Sequence, residues 1–131
     1  MDNITFKITD AEWLVMKVVW QESPLTASSI AKELKLETDW NPKTVQTLIG
    51  RLVKKGALGI KKDASLNEYY PLVSKENCMR KETKTFLQKV YGGSLKVLIA
   101  NFVNDETLTP KEIEELKSLL NEKIKWRRMW M

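Results

Sequence analysis

A chain of 131 residues, 43% hydrophobic and 30% charged, has the composition of an ordinary folded protein, with room for one domain or for a small domain with an appendage. Lysine and arginine outnumber aspartate and glutamate by 22 to 17, and this net charge of +5 favours polyanionic partners such as nucleic acid. A single cysteine, Cys78, and no histidine exclude an intrachain disulfide framework, the usual zinc sites and histidine-based catalysis, so no metal, cofactor or enzymatic activity is expected.

The opening "MDNITFKITD" lacks the apolar segment of a signal peptide, and no run of about 20 apolar residues follows, so a cytoplasmic protein without membrane insertion is expected. Thr9 or Asp10, with Glu12, forms a capping box ahead of a helix. Ala11, Leu14, Val15, Val18 and Val19 then recur at helical spacing, widened by Trp13, Met16 and Trp20, so these two tryptophans read as core rather than as base-stacking groups. Pro24 in "ESPLT" ends the helix. A second helix runs from about Thr26 to Leu36, with Ala27, Ile30, Ala31 and Leu34 on its apolar face and Lys32, Glu33 and Lys35 opposite.

The clearest signal is "DWNPKTVQTLIGRLVKKG", Asp39 to Gly56. Asn41 is a strong N-cap, and Pro42 takes the first helical position, where its missing N–H is not needed. Val45, Leu48, Ile49, Leu52 and Val53 make an inward stripe; Lys43, Gln46, Thr47, Gly50, Arg51 and Lys54 share the other side; Gly56 stops the helix. Trp40, just before the cap, reads either as a hydrophobic staple or as a contact residue. In "ALGIKKD" and "NEYYPLV" the period is two, aligning Leu58 with Ile60 and Tyr70 with Leu72, with "KDASLN" as a polar turn. Three helices and then a lysine-bearing hairpin give the order of a winged helix-turn-helix over residues 1–73.

From residue 74 to 131 the pattern is helical throughout. A first helix aligns Met79, Thr83, Phe86 and Val90 and stops at Gly92 and Gly93; a second aligns Leu95, Leu98, Ile99 and Phe102; a third opens at Thr109-Pro110 and carries Ile113, Leu116, Leu119 and Leu120. A unit of this size encloses little surface alone, so a homodimer through these apolar faces is expected. The overall expectation is a mainly α protein with a small antiparallel β wing, a DNA-binding domain over 1–73 and a three-helix dimerisation domain over 74–131.

On the polar face, Arg51 suits guanine O6 and N7, Gln46 suits adenine N6 and N7, and Thr44 and Thr47 suit a thymine methyl, with Lys43 and the capping Asn41 at the helix start. Lys54, Lys55, Lys61 and Lys62 fall at the margins, where phosphates lie. The competing readings are a plain solvated face, or a winged-helix module for protein–protein contact. Glu112, Glu114, Glu115 and Glu122 alternate with Lys111, Lys117 and Lys123, which reads as a salt-bridged surface rather than a metal or catalytic cluster. Cys78 reads as a small packed residue.

"ITDAEWLVMKVVW", "DWNPKTVQTLIGRLVKKG", "FLQKVYGGSLKVLIANFV" and "EIEELKSLLN", in unbroken order over roughly residues 5–123, resemble the BlaI/MecI family of penicillinase and methicillin-resistance repressors. The resemblance implies a dimeric winged-helix repressor on double-stranded operator DNA of dyad symmetry with TACA/TGTA elements. It carries DNA contacts onto Lys43, Thr44, Thr47 and Arg51, and phosphate contacts onto the wing lysines Lys61 and Lys62; Gln46 has no fixed counterpart. It further implies inactivation by a membrane sensor-protease at an Asn-Phe bond, for which Asn101-Phe102 stands at the matching place. The same fold under another signal, a ligand or a metal, is the alternative, although the cysteine-rich site of the copper-responsive relatives is missing. The tail "IKWRRMWM" extends past the family pattern, either prolonging the last helix, meeting a partner or fraying.

Overall fold

The computed structural model describes residues 4–63 and 65–130, with backbone alone at Asp63. Ala64, in the middle of the expected "KDASLN" turn, lies outside the described residues, as do the first three residues of the expected leaderless start and the final Met131 of the tail. The elements run α1 (Asp10–Gln21), β1 (Leu25–Thr26), α2 (Ala27–Leu34), α3 (Pro42–Lys55), β2 (Leu58–Asp63), β3 (Leu66–Pro71), α4 (Lys75–Tyr91), α5 (Leu95–Asn104) and α6 (Pro110–Trp130). They divide into two compact units, Met1–Glu82 and Thr83–Met131.

In the first unit the expected caps form. The Thr9 N–H donates to Glu12 Oε1 at 2.9 Å and the Glu12 N–H to Thr9 Oγ1 at 3.3 Å, closing the capping box of α1. Val15, Met16 and Val19 of α1, Ile30, Ala31 and Leu34 of α2, and Val45, Leu48, Ile49 and Leu52 of α3 interlock into one core, completed by Ile8, Ala57, Leu58, Val73 and Cys78. Trp13 and Trp20 meet edge to face at 5.4 Å against this core, and Trp20 Nε1 donates to the Val73 carbonyl at 2.9 Å, so the polar edge of the indole is satisfied as it is buried. Trp40 packs on the same cluster, the staple alternative of its two readings.

Three details differ from the sequence expectation. The helix expected to reach Leu36 ends at Leu34, where Thr38 turns back to bond the Leu34 carbonyl through both N–H and hydroxyl, leaving Leu36 81% exposed. Leu25 and Thr26, read as part of a break, form β1 and pair antiparallel with Tyr69 and Glu68, so the sheet has three strands in the order β1-β3-β2. In β3 it is Tyr69 that packs on the core, while Tyr70 and Leu72 are exposed. Tyr70 lies across Gly59, its register partner, where a methyl group would stand 2.5 Å from the ring.

The division between the two units falls within α4, and the first turns of that helix belong to the first core. Cys78 is buried there, and Lys81 Nζ donates to the Phe6 carbonyl at 2.6 Å and to that of Ile4 at 3.3 Å. In the second unit, α4 ends at Gly92 and Gly93, both with positive φ, where the Gly93 N–H reaches back to the Leu87 carbonyl at 3.0 Å. Ser94 caps α5, and Thr109 and Glu112 close a second capping box on α6. None of the described residues from 83 to 130 is buried. The tail is helical as far as Trp130. Among the described residues, no helix is long and apolar enough to cross a membrane.

Candidate nucleic-acid interface

The site is built on α3. The Asn41 side chain accepts from the Thr44 N–H at 2.9 Å and fixes the start of the helix; Gly56 at φ 90° ends it in the left-handed region open to glycine. Burial of Val45, Leu48, Ile49 and Leu52 sets the rotation of the helix about its axis, and with it the direction of the polar side. Lys43, Gln46, Thr47, Gly50, Arg51 and Lys54 are all exposed, with Thr44 half-buried at the edge of the set. The Thr47 hydroxyl donates to the Lys43 carbonyl at 3.0 Å.

The adjoining hairpin pairs Lys61 with Glu68 and Lys62 with Asn67, and both lysines are exposed. Among the described residues none of Lys43, Arg51, Lys54, Lys61 and Lys62 is held in an ion pair. Beside α3, a cleft of about 270 Å³ is lined by Ala27, Ser28, Ala31, Lys32 and Lys35 together with Pro42 and Gln46. Lys32 and Lys35, which periodicity assigns only to the solvent side of the second helix, thereby line the same cleft as Gln46.

Lys55, one of the cations expected to face phosphate, has two partners within the first unit. Its Nζ donates to Glu12 Oε1 and to the Lys7 carbonyl, the latter at 2.8 Å, turning the side chain toward α1. Burial pushes the Glu12 carboxyl up, but the hydrogen bond from Lys55, those from the Thr9 backbone and hydroxyl, and the lysine charge together hold it below its ordinary value of 4.5. Glu112, one of the four acids of α6, is likewise held low by the Thr109 backbone and hydroxyl of its capping box.

Three packed helices whose last presents an exposed cationic side, followed by a basic two-stranded hairpin, define a winged helix-turn-helix regulator of transcription. The penicillinase repressor profile matches residues 8–122, and the chain belongs to that family. It is 45% identical over 123 residues to the methicillin resistance regulatory protein MecI of Mammaliicoccus sciuri, an alignment covering 94% of this chain and all of the relative. The penicillinase repressor of Bacillus licheniformis is 37% identical over 116 residues, covering 88% of this chain and 91% of the relative. Two solution structures are similar at 40% identity and a TM-score of 0.51, each covering 59% of this chain and 93% of its own. They are the DNA-binding domain of the repressor BlaI, and the Bacillus licheniformis BlaI monomeric form in complex with the blaP half-operator.

Proposed function

We propose that this chain is a cytoplasmic, homodimeric repressor of β-lactam-resistance genes that reads an operator of dyad symmetry through α3. A membrane sensor-protease relieves repression by cutting the chain between Asn101 and Phe102. The observation that carries the reading is the unpaired cationic side of α3 on a helix whose other side is locked into a core. In this role Arg51 grips a guanine edge, Gln46 an adenine edge, and Thr44 and Thr47 meet thymine methyls, while Lys43, Lys54, Lys61 and Lys62 neutralise phosphates.

Dimerisation is supported by the apolar side chains left open along the second unit. Phe86, Val90, Leu95, Ile99, Phe102, Ile113, Leu116 and Leu120 are exposed in the single chain, and Leu98 is half-buried. The helical stretch from 83 to 130, with no buried residue among those described, has no core of its own, and a second copy closed over these side chains supplies one. Two reading helices related by a two-fold axis then match a two-fold operator.

Asn101 and Phe102 lie within α5, both exposed, with Asn101 Nδ2 donating to the Tyr91 hydroxyl at 3.3 Å. A protease takes its substrate extended, so these turns of α5 unwind before the bond is cut, and cutting detaches α6 from the rest of the chain. The test is fluorescence anisotropy on duplexes from the chain's own upstream region, followed by immunoblotting of cells given a β-lactam. Preferential binding to a dyad-bearing duplex and two fragments joined at 101/102 are expected. Equal affinity for random duplex overturns the operator reading, and an uncut chain after induction overturns the cleavage.

A further inference from the structure

The last two turns of α6 carry a side-chain pattern used neither by the DNA-reading side of α3 nor by the apolar stripe of α6 itself. Along α6, Ile113, Leu116, Leu120 and Ile124 recur at spacings of three and four. At 3.6 residues per turn, Trp126 and Trp130 fall on a line rotated from that stripe by roughly 100°, with Met129 beside them. The two indoles lie 6.3 Å apart, and the Lys123 ammonium sits 5.0 Å from the Trp126 ring centroid. Trp126, Met129 and Trp130 are 55%, 77% and 70% exposed, among the most open apolar side chains described. Lys125 borders Met129 on one side and Lys123 and Arg127 border the indoles on the other, with Arg128 on the opposite side of the helix, and residues 123–130 include no acid. The family match stops at residue 122, so this pattern lies outside the segment shared with the penicillinase repressors.

We propose that these turns seat the protein on the surface of an anionic lipid bilayer. Tryptophan favours the headgroup level, where its ring is half apolar and half hydrated, and Lys and Arg on the adjoining arc meet acidic headgroups. Charge complementarity selects this occupant over the others. Acidic headgroups beside an apolar layer meet the cations and the indoles at once, whereas duplex DNA satisfies the cations but leaves both indoles and Met129 in water; a second copy is an outcome of the test. No described helix is long and apolar enough to cross a bilayer, so α6 lies in the interface plane with Trp126 and Trp130 dipped into it.

The test uses the full chain with phosphatidylcholine vesicles, with and without phosphatidylglycerol, at near-physiological salt. Because the winged-helix unit is itself basic, the informative variant is Trp126→Ser/Trp130→Ser, which keeps every charge; Lys125→Gln/Arg127→Gln is its complement. The wild type is expected to co-sediment with the acidic vesicles and to shift its tryptophan emission to the blue. Each double variant is expected to bind about tenfold or more weakly, with unchanged circular dichroism and unchanged mass by light scattering. Equal binding by the wild type and the serine variant overturns the proposal, as does equal binding to neutral and acidic vesicles. A changed oligomeric mass in the serine variant also overturns it and assigns the tail to contacts between copies.

Discussion

Glu12, in the first turn of α1, and Lys55, the last residue of α3, are joined by an ion pair across 43 positions of sequence, the carboxylate 1% exposed and the lysine 28%. The pair couples the capping box of α1 to the far end of α3. It also turns the Lys55 side chain toward α1.

Lys55→Met is therefore expected to lower unfolding stability by about 2–3 kcal/mol, the cost of leaving a buried carboxylate without its partner. Urea denaturation checks this through a lower midpoint at constant slope. Operator affinity should retain its salt dependence in this variant, whereas Lys54→Ala should reduce the slope of log K against log salt by about 1. A lost slope in Lys55→Met would return that lysine to the phosphates.

Acid should act through the same carboxylate. Glu12 gives up its proton more readily folded than unfolded, so as pH falls the unfolded chain takes up a proton first. The contribution is complete above the ordinary carboxylate value of 4.5 and is lost as pH drops through the lower folded value. Stability curves of wild type and Glu12→Gln are expected to lie apart at neutral pH and to converge in acid. A constant separation down to pH 3 would show that another group carries the acid response.

Gly50 stands at the middle of the exposed side of α3, and a methyl group there meets nothing within 4 Å. The free protein thus gives no packing reason for a residue that costs about 1 kcal/mol against alanine in a helix. Gly50→Ala is expected to raise stability by about that amount while weakening operator binding, because the new methyl group lies where the groove floor approaches. Thermal melts and anisotropy on the same sample test both halves. Unchanged affinity would leave the glycine without a role at the interface.

Arg51→Ala should weaken operator binding by about 1–3 kcal/mol and relax the preference at one base step. A panel of operators substituted singly at each position reads this directly. If the variant loses affinity equally for every duplex, Arg51 binds phosphate rather than a base.

Phe102→Glu should dissociate the dimer, since Phe102 lies open on α5 in the single chain and a charge there is incompatible with burial against a second copy. Light scattering at micromolar concentration distinguishes monomer from dimer, and an unchanged mass would contradict the proposed interface.

Much of this architecture is legible because its signals are local. The Thr9–Glu12 box, the Asn41-Pro42 start and the stripe from Val45 to Val53 each lie within a few turns, and the helices follow them. What escapes is non-local or too short to carry a period. β1 is two residues long and exists only because Tyr69 and Glu68 lie alongside. The choice of Tyr69 over Tyr70 for the core depends on register, which adjacent tyrosines do not reveal. Lys55 reads as one more surface cation until the fold brings Glu12 beside it. The 83–130 helices show the converse case, since their apolar periodicity is plain while none of the described residues there is buried within the single chain.

That coreless stretch makes folding a matter of amount. If the helices beyond residue 83 gain their interior only from a second copy, their melting temperature rises with protein concentration, and dilution favours an open chain. The quantity of repressor in a cell would then set two things at once, how much operator is occupied and how much of the population offers Asn101-Phe102 in an unwound, cuttable form.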